Sequence, residues 1–418
     1  MGTKIHVSAS TNTLIIGGGI IGVSIASMLT DRDVMILDSG EPRFGTSIGN
    51  AGHVVVSHAQ PFAAPGMIAM GAKSLLHADG AFAFSAHLPL QTASWIASFM
   101  RSCTKGNVEK FTPGILSLLR TSAELIHSSG VTTTSTPTWE VFTSQKATEQ
   151  AQVEAEHLSH LGISSLLINR SEALEQEPSL TPRVKAVVEL GEDFGLDPRE
   201  LWQRLRAANP DLVFHSNELV TAIAPSKGGY LLTTTSGMQI TAENIVIAAG
   251  SWSREVGKLL GIKIPLIAAK GYSVTVPMHK GTNSLHPMIF ADEKTATDPL
   301  GDHLRMSARF ELTHPNDRSI KEKRVRQLYE RAATVLNLPL IPKDLAELSP
   351  WTGLRPASAD GAPYIGPVPD LPGVYLATGH GLIGTALSLG TADLISRYIG
   401  HRPVTPAELA LSPRRFIH

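Results

Sequence analysis

Three glycines and an aspartate near the start of the chain have the spacing of a turn that holds phosphates and a ribose. The run Leu14-Ile15-Ile16-Gly17-Gly18-Gly19-Ile20-Ile21-Gly22 follows apolar residues with the pattern G-x-G-x-x-G, and sixteen residues past Gly22 a second apolar run, Val34 to Leu37, ends at Asp38. Gly17 allows a tight turn out of a strand, Gly19 lets a backbone come close to a pyrophosphate, and Gly22 lets the next helix pack on the sheet. That helix opens with Ile20 and Ile21, so their N–H groups and the positive end of its dipole meet the phosphates. Asp38, followed by Ser39, stands where a carboxylate accepts hydrogen bonds from the ribose hydroxyls of an adenosine.

Two later stretches repeat the strand-into-glycine pattern. One is Asn244-Ile245-Val246-Ile247-Ala248-Ala249-Gly250, with Trp252 just beyond it; the other is Gly373-Val374-Tyr375-Leu376-Ala377-Thr378-Gly379, leading into His380-Gly381-Leu382-Ile383-Gly384. Short, unbroken apolar runs suit strands covered on both faces, as in a parallel sheet, and ligands gather at the carboxyl ends of such strands. All three turns are expected at one crevice, which requires a domain assembled from early, middle and late segments.

The intervening material has other periods. Glu149 to Leu161 and Lys321 to Leu336 have helical spacing, the second with Val325, Leu328, Tyr329, Ala332 and Leu336 on one face. Tyr230 to Thr235, Tyr272 to Val276 and Leu304 to Leu312 read as strands, and Thr385 to Ile399 as a helix that begins beside the last glycine turn. The expected fold class is α/β: a Rossmann-like parallel-sheet domain with an inserted α+β substrate domain built on a mixed or antiparallel sheet. The expected division is 1–60, 186–262 and 349–418 for the nucleotide domain, and 61–185 and 263–348 for the other.

With 418 residues the chain is long enough for two cores. A formal net charge of -1, with scattered Lys and Arg, argues against nucleic acid as a partner and for a small ligand. The lone cysteine, Cys103, excludes an internal disulfide framework and a cysteine-based zinc site, no metal site is expected, and a reducing compartment fits. The expected location is cytoplasmic, since no signal peptide or apolar stretch of about 18 residues is present. Residues 61–100 are charge-poor and rich in Phe, Met and Leu. Core packing is the expected account, and the alternative is a peripheral contact with the inner membrane face.

Later motifs narrow the field: Gly353-Leu354-Arg355-Pro356, Asp360-Gly361-Ala362-Pro363-Tyr364-Ile365-Gly366-Pro367, and the Gly379-His380-Gly381 turn. Taken with the N-terminal glycines and Ser47-Ile48-Gly49-Asn50-Ala51-Gly52, they give a chain that resembles the flavin-dependent amine oxidoreductases of the D-amino-acid oxidase superfamily, most of all the D-amino-acid dehydrogenase branch. The resemblance implies FAD, held noncovalently because Cys103 is remote from every flavin motif. It places the pyrophosphate at Gly17 to Gly22, and the isoalloxazine under Asn50 to Gly52 and Gly379 to Gly384, with Ser47, Val220, Ala249, Gly250, Trp252 and Gly353 among the contacts.

The resemblance also implies that Arg355 clamps a substrate carboxylate, for which a guanidinium offers two parallel N–H donors. Tyr272, His53 and His380 are further candidates. Arg309 is a candidate second anion contact, with a packing or solvent-facing role as the alternative for each of these four. The expected reaction is dehydrogenation of the Cα–N bond of a small amino acid, a D-amino acid or a cyclic imino acid such as proline or hydroxyproline. Electrons would pass to a quinone, an electron-transfer partner or oxygen. Alternatives are a glycine or sarcosine-type oxidase and a noncatalytic flavoprotein subunit, with an NAD-dependent dehydrogenase the weakest rival; the oligomeric state, homo- or hetero-, stays open.

Overall fold

The computed structural model describes residues 9–41, 45–75, 80–85, 88–278 and 286–417. Its nucleotide sheet is built around five parallel strands. Ala9–Ile16 lies between Gln239–Ile247 and Val34–Leu37; Val213–His215 continues the sheet beyond Val34–Leu37, and Val374–Thr378 pairs with the end of Gln239–Ile247. The strands run together because each is apolar on both faces: Val34–Leu37 and Val374–Thr378 are buried at every residue. One face packs on the helices Ile20–Met28, Lys105–Ser128 and Ser388–Ile399, and the other forms a second core with Val256, Ile262 and Ile264.

The strand Gly229–Thr234, within the segment 186–262, pairs with Val220–Ser226 and Gln239–Ile247 in this first sheet. Lys227 and Gly228 form the tight turn that folds it back, with Gly228 at φ +81.

A second, mixed sheet of nine strands stands beside the cleft. Its long strands are Leu266–Pro277 and His303–Thr313, flanked by Trp351–Ser358 on one side and Thr295–Leu300 on the other, all antiparallel. The helix Glu322–Val335 covers one face with Val325, Leu328, Tyr329, Ala332 and Val335; the first four belong to the apolar stripe expected from the sequence, whose last member, Leu336, lies just past the helix end and is buried in the same core. Two stretches assigned above to the nucleotide domain, Ala186–Leu190 and Trp351–Ser358, are strands of this second sheet. Trp351–Ser358 leaves the nucleotide half because its backbone donors and acceptors find partners on Leu266–Pro277 over its whole length.

The helix expected from Thr385 begins at Ser388, since Gly381 to Leu387 form successive turns first. Between residues 61 and 100 the outcome is divided. Phe62, Phe82, Trp95 and Phe99 pack around Phe310, while Ile68, Met70, Phe84, Leu88, Leu90 and Met100 stay exposed.

Candidate functional site

A cleft of about 540 Å³ opens at the carboxyl ends of the strands that finish at Ile16, Leu37, Ile247 and Thr378, and the second sheet closes it with Gly271 and Gly353 to Pro356. Gly17, Gly19, Ile20 and Ile21 line one wall. Gly17 has φ +113, and a Cβ there would stand 2.5 Å from the Ala248 carbonyl oxygen, so only glycine lets the first turn pass under the neighbouring strand. Gly22 does not reach the cleft; it packs on Gly17, where a side chain would collide with the carbonyl.

The helix Ile20–Met28 starts at Gly19 with no side-chain cap and no acid in its first turn. Its first N–H groups therefore wait for an acceptor from outside the chain, and a Cβ at Gly19 would meet nothing within 4 Å. Asp38 lies across this wall, accepting from Gly18 N at 2.6 Å and Gly40 N at 2.9 Å, which fixes the carboxylate at the cleft. Ser39, Ser47, Asn50, Val220, Ala249, Gly250 and Trp252 line the same space. Asn50 is held by accepting from Gly52 N and donating to Thr385 Oγ1. An uncapped helix start, an open glycine and a fixed acid fit the pyrophosphate and ribose of FAD.

At the other end, Gly353, Arg355, Tyr272, His380, Gly381, Leu382 and Gly384 line the cleft. Arg355 donates from Nη1 to the Arg309 carbonyl oxygen at 2.5 Å and has no carboxylate partner among the described residues. Burial lowers its pKa to about 10, so it remains cationic at neutral pH. The Tyr272 hydroxyl is buried without a hydrogen-bond partner among the described residues, and burial raises its pKa above the ordinary phenol value. Its ring alternates to the sheet face opposite Gly271 and packs in the core with Leu328 and Tyr329, so the hydroxyl does not share the face that carries Arg355. His380 is 4% exposed, its Nε2 lies 3.0 Å from Thr391 Oγ1, and burial lowers its pKa to about 3. It is a neutral, anchored ring.

Several candidates lie elsewhere. His53 sits outside the lining, its Nε2 donating to the Thr297 carbonyl oxygen at 2.9 Å, with its pKa lowered by burial to about 4. The Arg309 side chain turns from the cleft and donates to the Gly80 carbonyl oxygen. Ala51, Gly52, Gly379 and Ile383 belong to the same turns but do not line the cleft. Sequence reasoning missed Thr46, Gly49, Ser307, Trp351 and Thr385, all in the lining. Only Trp351 left a signal, the two-residue spacing that puts it on the same strand face as Gly353 and Arg355.

A parallel nucleotide-binding sheet that shares its cleft with an arginine-bearing mixed sheet is the arrangement of a flavin-dependent oxidoreductase. The chain belongs to the FAD dependent oxidoreductase (DAO) family, which matches residues 12–398. It is 28% identical over 410 residues to a D-amino acid dehydrogenase of Rhizobium johnstonii, covering 93% of this chain and 95% of that one. Its fold is similar to glycine oxidase from Geobacillus kaustophilus (TM-score 0.75, 21% identity, 98% of this chain and 100% of that one). L-proline dehydrogenase from P. horikoshii is as similar in fold (TM-score 0.75, 17% identity, 98% of each chain). The protein is thus an FAD-dependent oxidoreductase.

Proposed function

We propose that the enzyme dehydrogenates the Cα–N bond of a small amino acid, a D-amino acid or a cyclic imino acid such as proline or hydroxyproline. The observation that carries this reading is Arg355, a cation in the cleft wall with a protein carbonyl on one nitrogen and no acid of its own. A buried cation in that condition calls for an anion from outside, and a carboxylate matches its planar fork.

When bound, FAD supplies the two-electron acceptor for the hydrogen leaving the α-carbon. The residues present contribute position rather than proton transfer. Two N–H bonds from Arg355 orient the substrate as well as hold it, and orientation of that kind accounts for a large part of many enzymatic rate enhancements. His380, bonded to Thr391 and with its pKa lowered by burial to about 3, is a weak base, which suits a substrate whose amine has lost its proton in solution. FAD is held noncovalently, as Cys103 lies at the end of the helix Thr92–Ser102, outside the cleft lining. The acceptor of the electrons is a quinone or an electron-transfer partner, a reading supported by likeness to a dehydrogenase.

The test is an anaerobic panel of D- and L-amino acids scored by bleaching of the oxidised flavin. Bleaching by small D-amino acids or imino acids is the expected result; a spectrum that no amino acid changes would sink the reading. Stoichiometric peroxide with oxygen as sole acceptor would move the enzyme to the oxidases.

The exposed Ile68, Met70, Phe84, Leu88, Leu90 and Met100 further support a peripheral membrane contact. No helix among the described residues is long and apolar enough to cross a membrane. Co-sedimentation with lipid vesicles, lost on replacing Leu88 and Leu90 with Ser, tests this.

A further inference from the structure

The floor of the cleft next to Arg355 is a pair of glycines. Gly271 on the strand Leu266–Pro277 stands directly opposite Gly353 on Trp351–Ser358. A Cβ at Gly271 would lie 2.3 Å from Arg355 Nη1, and a Cβ at Gly353 would lie 2.2 Å from Trp351 Cη2. The guanidinium therefore covers one glycine and the indole rim covers its cross-strand partner. Directly opposed residues in an antiparallel pair stand roughly 5 Å apart, so cation and indole lie side by side on one sheet face. Both line the cleft.

The indole is also held from another direction. A Cβ at Gly49 would lie 2.2 Å from Trp351 Cδ2, at the ring fusion. Gly49 belongs to the turn Thr46–Gly49, which lines the cofactor end of the cleft. Wedged between Gly49 and Gly353, the ring cannot swing aside without moving backbone.

We infer that Trp351 is the specificity-determining residue of this enzyme, the fixed wall that limits the side chain of a substrate whose carboxylate is held by Arg355. The inference rests on the proposed amino-acid oxidation. With the carboxylate on the guanidinium, the α-carbon and its substituents must occupy the space beside it, and on the Gly353 side that space is filled by indole. A small apolar substituent fits against the ring edge, whereas a bulky one overlaps it. Close-packed walls discriminate by size because neither side yields.

The experiment compares kcat/KM of the holoenzyme for D-alanine, D-valine and D-phenylalanine in wild type, Trp351→Phe and Trp351→Leu, with flavin content measured for each. The expected wild-type order is alanine over valine over phenylalanine. Trp351→Leu is expected to raise the phenylalanine-to-alanine ratio at least tenfold, and Trp351→Phe by less. Because Trp351→Leu also removes packing on Gly49, wild-type competitive inhibition by acetate, isobutyrate and phenylacetate provides a second measurement. There the inhibition constant should climb with bulk. An active wild type whose ratio is unmoved in a flavin-replete variant, or whose inhibition is indifferent to bulk, overturns the role of Trp351 alone. A wild type reduced by no amino acid overturns the function and this inference together.

Discussion

Arg309 serves Arg355 through its main chain: Arg355 Nη1 donates to the Arg309 carbonyl oxygen, while the Arg309 guanidinium is turned to the Gly80 carbonyl. The geometry comes from a break in the ladder. Pairing between Leu266–Pro277 and His303–Thr313 shifts register between Lys270 and Tyr272, and Arg309, in the unpaired segment opposite, has φ +79. A bulge re-aims the backbone at that point, and a left-handed residue there turns its carbonyl toward the cleft. An arginine that could have offered a second charge to the substrate instead fixes the direction of the first.

Replacement at Arg309 should therefore depend on backbone preference more than on charge. Arg309→Gly, which accepts a positive φ, is expected to keep substrate KM within about threefold, with some loss of thermal stability from the Gly80 contact. Arg309→Val, for which that φ costs about 1–3 kcal/mol, should raise KM by roughly tenfold. Equal KM values for the two variants would refute a main-chain role.

Arg355→Ala removes the only carboxylate fork proposed here. KM is expected to rise on the order of a hundredfold, from the roughly 2–4 kcal/mol lost with a buried charged pair, while FAD stays bound. Steady-state kinetics with the flavin spectrum as control would check it, and unchanged kinetics would remove Arg355 from the site.

The pH dependence of kcat/KM should show no histidine limb. His380 and His53, with pKa values lowered to about 3 and about 4, are neutral throughout the range above pH 5. The rate should climb with pH as the substrate amine loses its proton, then fall as Arg355 loses its own near its value of about 10. A pH profile from 5 to about 11 reads both limbs; an acid limb abolished by His380→Gln would show that histidine takes part.

Asp298 gives a stability test. It is fully buried, neither carboxylate oxygen has a hydrogen-bond partner among the described residues, and burial raises its pKa well above the carboxylate range. The folded state keeps the proton that the unfolded chain releases above about pH 4, so this group lowers stability progressively as pH rises past that value. Asp298→Asn should be more stable than wild type at pH 8, by about 1–3 kcal/mol, and the gain should vanish near pH 4. A melting-temperature difference that does not change with pH would contradict the assignment.

The parts of this protein legible in its sequence are those encoded by neighbours along the chain. Gly17 to Gly22 and Asp38 announce their turn because strand, glycines, helix and acid are contiguous, and the Glu322–Val335 helix shows its buried face as a period. Arg355 was legible through its motif. What no local pattern contains is the pairing of strands far apart in the chain. Only the fold decided that Trp351–Ser358 belongs to the second sheet, that a register shift opposite Gly271 turns the Arg309 side chain away, and that Gly49, some three hundred residues before Trp351, presses on its indole. Backbone hydrogen bonding and close packing select those partners across space, and a residue's direction follows from which partner its strand finds.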